Sequence, residues 1–199
     1  MVRGFVFILF FVLCGSAWAD NTGEKSPASS AQEASPTTAW TNIDSVFATD
    51  NQRSIYTGTT ADTLYITNFS MGVTAEATID SIFWTIEGQG SASQAGRRVV
   101  KGFLVKDGVT TVGELSGKFQ LSQGTDATAR LTGGTTPLWN TTWTAAEVNA
   151  TTFGVAFWKT ASQAGDILID HVTLYVAFTV GGGEPDVASR RIRIIKTGG

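Results

Sequence analysis

Ile167-Leu168-Ile169-Asp170-His171-Val172-Thr173-Leu174-Tyr175-Val176-Ala177-Phe178-Thr179-Val180 alternates along its whole length. Leu168, Val172, Leu174, Val176, Phe178 and Val180 share one face. Ile169, His171, Thr173, Tyr175 and Thr179 share the other. Successive side chains of a strand point to opposite sides. A period of two sustained this far excludes a helix.

The same reading extends upstream. Thr63 to Thr67 is a short β-rich run, and Ala77 to Ile86 sets Ile82, Trp84 and Ile86 against Ser81, Phe83 and Thr85. Val99 to Val105 runs into Lys106-Asp107-Gly108, with a return strand expected near Val109 to Leu115. Asp-Gly between β-rich runs signals a hairpin, because a type I′ turn needs φ > 0 at both central residues. Phe153 to Trp158 is a further strand, and Trp84 and Trp158 are both read as core residues. Helix signals are confined to Trp143–Asn149, where Thr144 and Glu147 have capping-box spacing. Short strands separated by turn clusters predict an all-β, two-sheet antiparallel sandwich, jelly-roll-like, with at most one short helical turn.

Residues 1–19 have the three parts of a secretory signal: Arg3, an apolar run from Phe5 to Leu13, and Ala17 and Ala19 before Asp20. The run is shorter than the roughly 20 residues that span a membrane. Cleavage after Ala19 removes Cys14, the only cysteine, so the mature chain is expected to hold no disulfide and no thiolate ligand. Cleavage also removes Arg3 and no acid, which takes the net charge from −3 to −4. Nucleic acid is not an expected partner of such a chain, since phosphate binding needs clustered Lys and Arg. No membrane association is expected after cleavage, and the location is read as extracellular or cell surface, with the periplasm as the alternative.

Residues 20–39 hold Ser, Thr, Ala, Pro and charge but no large apolar residue. They are read as a disordered linker, because such a stretch buries too little to offset its ordering entropy. The sandwich domain is expected over 40–180, followed by a Gly-rich hinge and basic tail over 181–199. That tail contains Arg190, Arg191 and Arg193, the chain's one basic cluster and the candidate for self-association by strand pairing. Phe83-Trp84 and Phe157-Trp158 are each followed by a Ser-Gln-Ala-Gly loop, at Ser93 and Ser162. That echo is read as rough internal two-fold character or as chance.

Leu64-Tyr65-Ile66-Thr67-Asn68-Phe69, Ala77-Thr78-Ile79-Asp80-Ser81-Ile82 and Val105-Lys106-Asp107-Gly108 also carry a family resemblance. So do Leu138 to Asn149, Phe153-Gly154-Val155 and Ile169 to Val176. Together they resemble an uncharacterised β-sandwich module of secreted bacterial proteins and phage structural or receptor-binding proteins. That module looks like the galactose-binding-like and jelly-roll sandwiches. The WT-x-x-x-VN-x-x-x-FG stretch from Trp143 to Gly154 is its most specific part. The resemblance covers about 40–180 and implies a structural or binding role with no catalytic residues.

The residues themselves point the same way. His171 is the only histidine, no G-x-S-x-G elbow occurs, and no spacing singles out a carboxylate pair. Asp170 and His171 are strand neighbours, so they are expected on opposite faces. The chain is therefore read as no enzyme, with no cofactor; calcium held by Asp44, Asp50 and Asp62 is the minor alternative. Trp139, Asn140 and Trp143 sit in the polar stretch GGTTPLWNTTWT and are the candidate ligand-binding residues, with a glycan or cell-surface polymer as ligand. The competing reading packs that loop onto the core, since Trp carries so much apolar area. Two functions follow: a secreted surface binding module, glycan-binding or adhesive, or a structural subunit of an extracellular fibre, surface layer or phage-like assembly.

Overall fold

The structure, a computed structural model, describes residues 17–28, 31–33, 40–58, 62–91, 98–113, 119–133, 136–159 and 165–181. In chain order the strands are β1 (Trp18–Asn21), β2 (Ala31–Glu33), β3 (Trp40–Thr41), β4 (Ser54–Tyr56), β5 (Thr63–Thr67) and β6 (Ala77–Gly90). They continue with β7 (Arg98–Val105), β8 (Thr111–Val112), β9 (Phe119–Leu121), β10 (Ala127–Thr132), β11 (Gly154–Lys159) and β12 (Ile167–Val180). A 3₁₀ turn at Ile43–Val46 and a five-residue helical segment, α1 (Ala145–Asn149), complete the described elements.

Two antiparallel sheets face each other. The first runs β10-β6-β12-β4-β3, with β1 also on β12; the second runs β2-β5-β11-β7-β8, with β9 also on β7. Consider the eight strands β4, β5, β6, β7, β9, β10, β11 and β12 as first to eighth. Their order is then first-eighth-third-sixth in one sheet and second-seventh-fourth-fifth in the other. Strands alternate between the sheets in the manner of a jelly roll. Between the sheets lie Tyr56, Trp84, Phe69, Phe153, Phe157 and the aliphatic residues around them, all buried.

A bulge in β12 corrects the phase read from the sequence. The β12–β6 register shifts between Ile169 and His171, and again between Ala177 and Phe178. Ile167 and Ile169 therefore enter the core together with Val172, Leu174 and Val176, while Leu168 is only half-buried. A bulge inserts one residue without a partner and reverses the parity beyond it. The expected grouping holds from Val172 to Phe178 and inverts before Asp170.

The Asp107-Gly108 hairpin forms, with Val105 opposite Thr111. Its turn is not type I′: Gly108 has φ 94 and Asp107 is absent from the left-handed residues. Instead the Asp107 carboxylate accepts the backbone N–H groups of Thr110 (2.6 Å) and Val109 (3.2 Å), which closes a longer loop.

The capping box forms as its spacing predicts. Glu147 N–H donates to Thr144 Oγ1 (3.2 Å), and Thr144 N–H donates to Glu147 Oε2 (2.8 Å). The Lys106 ammonium donates to the other Glu147 oxygen at 2.8 Å. That bond above all holds the Glu147 carboxylate below its ordinary range. A depressed folded value contributes stability above the unfolded value and loses it as pH falls through the folded one. Between about pH 7 and about pH 3, the urea midpoint of the wild type is expected to drop slightly more than that of Glu147→Gln. Parallel midpoints would contradict the assignment.

Residues 20–28, expected in a flexible tether, lie along β12 and then cross towards β5. Asp20 pairs with Phe178, Asn21 with Ala177 and Lys25 with Leu174. The expectation weighed only side-chain burial. An open strand edge offers backbone hydrogen bonds to a polar segment that has no large apolar residue. Arg190, Arg191 and Arg193 lie outside the described residues, as do Ser93–Gly96 and Ser162–Ala164.

Candidate functional site

The expected ligand-binding loop is turned inward. Trp139 is fully buried, and its indole N–H donates to Ile82 C=O at 2.8 Å. A Cβ at Gly113 or Gly133 would collide with Trp139, so both glycines admit the residue by having no side chain. Trp143 is also buried and meets Phe153 edge-on at 5.2 Å, with its N–H on Leu138 C=O and the Lys106 ammonium 4.7 Å over its ring. Only Asn140 of the three is exposed. Trp139 and Asn140 both have left-handed backbone, φ 60 and 55. That turn carries the indole down into the core and leaves the amide outside. The two tryptophans therefore supply packing and no open ring face.

Partly exposed rings occur instead on the outer face of the second sheet. In β11 the core takes Val155 and Phe157, which leaves Gly154, Ala156 and Trp158 outward. Ala156 stands opposite Tyr65 of β5 and Phe103 of β7; Trp158 stands opposite Thr63 and Lys101. Phe103 and Trp158 stack at 5.1 Å with their planes 20° apart. Tyr65, Phe103 and Trp158 are each half-buried, and Ala156 between them is fully buried. Trp158 is thus not the core residue its strand context suggested. The strand is apolar on both faces, and the sequence does not say which face meets the other sheet.

At Tyr65 opens a cleft of about 350 Å³, lined by that ring with Thr67, Asn68, Asp107, Thr151 and Thr152 among others. Gly154 pairs with Thr67 and Val105. At Gly154 any Cβ would strike the Ile66 carbonyl. Asp107 is exposed, and its carboxyl is held below the usual range by the Thr110 hydroxyl first, then by the N–H groups of Thr110 and Val109. The cleft so combines an ionised acceptor, hydroxyls and an amide with the aromatic ring of Tyr65.

The outer face of the first sheet differs. Its cross-strand rows are Thr128–Glu87–His171, then Arg130–Thr85–Thr173, then Thr132–Phe83–Tyr175. Phe83 stacks on Tyr175 at 4.2 Å, and the Arg130 guanidinium covers Phe83, which leaves that ring 6% exposed. A cleft of about 260 Å³ lies over the polar rows. There His171 meets Ser26 Oγ through Nε2 (2.9 Å) and Thr49 Oγ1 through Nδ1 (2.8 Å). A Ser–His–acid relay sets a carboxylate against Nδ1; here a hydroxyl stands in that place, and Thr49 passes on to Glu87 at 3.4 Å.

Ile169 and Val172 both enter the core, so the bulge leaves Asp170 and His171 together between two inward residues and not on opposite faces as expected; Asp170 is 1% exposed. Burial raises its carboxyl above the ordinary range, against the pull of Arg53. Arg53 is itself paired with Asp126 at 2.7 Å. Among the described residues, no three His, Cys, Asp or Glu side chains converge to hold a metal, so Asp44, Asp50 and Asp62 are not brought together as a calcium site. Among the same residues no helix is long and apolar enough to cross a membrane.

Fold and faces together define an all-β antiparallel sandwich of jelly-roll order. The chain matches no protein-family model, and neither the curated proteins nor the solved structures yield a significant match.

Proposed function

We propose that the chain is a secreted, non-enzymatic surface module that binds glycan on the outer face of the β5–β11–β7 sheet. One observation carries this reading: the half-exposed ring of Tyr65 lines a polar cleft containing Asp107 and Asn68, and the stacked, half-exposed Phe103 and Trp158 lie further along the same outer face. Sugar rings present flat C–H faces that stack on aromatic side chains, while their hydroxyls need acceptors and donors at the edge. The Phe103–Trp158 pair supplies the flat face. Asp107, Thr67, Thr151 and Thr152 supply the edge. Secretion is supported by the signal-like order of residues 1–19.

A glycan array tests the proposal with wild type, Phe103→Ala and Trp158→Ala. Wild type is expected to select a subset of glycans. Each substitution should weaken binding by about tenfold or more, the usual cost of removing an aromatic contact at the centre of an interface. Both variants should keep a cooperative urea transition. A blank array, or binding indifferent to both changes, would sink the reading.

A further inference from the structure

We propose that residues 20–33 form an exchangeable strap, able to leave its own domain and seat on the same strand edges of a second copy of this chain. The proposal does not rest on the glycan reading: it concerns the β12 and β5 strand edges, whereas the glycan reading concerns ring faces on the outside of the second sheet.

Over residues 20–28 the strap contributes almost nothing to the core. Among the described residues the buried apolar cluster begins at Trp40. All four residues of β1 are exposed, and within 17–28 only Pro27 is buried. What holds the segment is backbone pairing. Beyond the β1–β12 pairs, Thr22 N–H donates to Val176 C=O at 3.0 Å, and Val176 N–H returns to Thr22 Oγ1 at 3.1 Å. Lys25 and Leu174 exchange bonds of 2.8 and 2.9 Å. Ser26 then meets His171. Ala28 N–H reaches Asn68 C=O at 2.9 Å, and β2 pairs with β5 from Ala31↔Ile66 to Glu33↔Leu64.

One segment thus closes an edge of both sheets on the same side of the sandwich. Nothing else described does so over most of β12. On that edge β4 pairs only with Ile167–Ile169, and Phe47 bridges His171. Without the strap, Leu174 and Val176 would present unpaired N–H and C=O groups, a template for another strand. The segment that fits is one with Thr and Ser at the spacing of Thr22 and Ser26, which a second copy carries. Contacts made to self and to a neighbour are then the same, so concentration and the connecting segment set the balance. That connection, Ala34 to Ala39, has no large apolar residue. Six extended residues reach about 20 Å, so a partner must lie with its β12 edge close by.

Two single-cysteine variants of the chain from Asp20 test this, Asn21→Cys and Ala177→Cys. These are register partners, and antiparallel partners have Cα separations that admit a disulfide. Cys14 lies outside this chain, so no other thiol competes. Only one variant carries a mass tag, and the two are mixed at high concentration and oxidised. A disulfide between different chains joins position 21 to position 177 only if one chain's strap seats on the other. The mixed dimer should exceed the Ala177→Cys homodimer by about tenfold and fall when synthetic peptide 20–33 is added in excess. A mixed dimer no more abundant than the homodimer, or one indifferent to the peptide, overturns the proposal.

Discussion

Gly102→Val is expected to leave little folded protein at room temperature. Gly102 lies in β7 opposite Phe157, and its missing side chain faces the interior. A Cβ there would collide with Cζ2 and Cη2 of the Trp84 ring. Trp84 is fully buried, stacks 6.0 Å from Phe157, and among the described residues has no hydrogen-bond partner for its indole N–H. Its position is therefore set by packing, and the ring is fully enclosed. Overpacking a close-packed interior costs about 1–3 kcal/mol and more where backbone fixes the offender. We expect at least about 3 kcal/mol here, a large share of the 5–15 kcal/mol that holds a typical domain. Urea unfolding measures it. The double variant Gly102→Val/Trp84→Leu should recover part of the loss, because the two positions share one volume. A Gly102→Val protein with a wild-type midpoint would show that β7 and β6 are not packed as described.

Trp139→Ala should cost about 3–5 kcal/mol, the range for emptying a buried aromatic site. The loss has two parts. The indole volume is removed from between Gly113 and Gly133, and the Ile82 carbonyl loses its donor. Trp139→Phe should cost less, since it keeps most of the volume and gives up mainly the hydrogen bond, about 1 kcal/mol. The comparison with Trp158→Ala is the informative one. Trp139→Ala is expected to fail in stability, whereas Trp158→Ala is expected to fail in binding. If Trp139→Ala melted like wild type and lost a ligand instead, the loop would have to be open in solution.

Part of the fold was legible because it is written in local chemistry. The period of two from Val172 to Phe178 states a strand, and Thr144 with Glu147 states a helix start. Asp107-Gly108 states a reversal of direction, although the form of the turn depended on the Asp107 carboxylate capping the loop. The candidate site was less legible. Trp139 and Trp143 drew attention because their neighbours are polar, yet their rings are buried through a left-handed turn at Trp139-Asn140 that no residue type announces. Trp158 was passed over because its neighbours are apolar. Its one signal was parity with the small residues Gly154 and Ala156, the second of which stands opposite Tyr65 and Phe103. The edge role of residues 20–28 was missed because composition reports side-chain burial and says nothing of backbone pairing.

By itself, then, the sequence determined that the chain makes strands, where most of them lie, and that one short helical segment begins at Thr144. Alternation and capping act between residues two to four apart, so they are complete within the local stretch. Only the tertiary structure decided which face of each strand is inside, where the bulge at Asp170 reverses that choice, and which rings remain in contact with solvent. Those outcomes depend on what packs against the strand, and its partners lie tens of residues away along the chain. The same dependence places the glycan reading on Tyr65, Phe103 and Trp158, three residues that share a surface only when β5, β11 and β7 have paired.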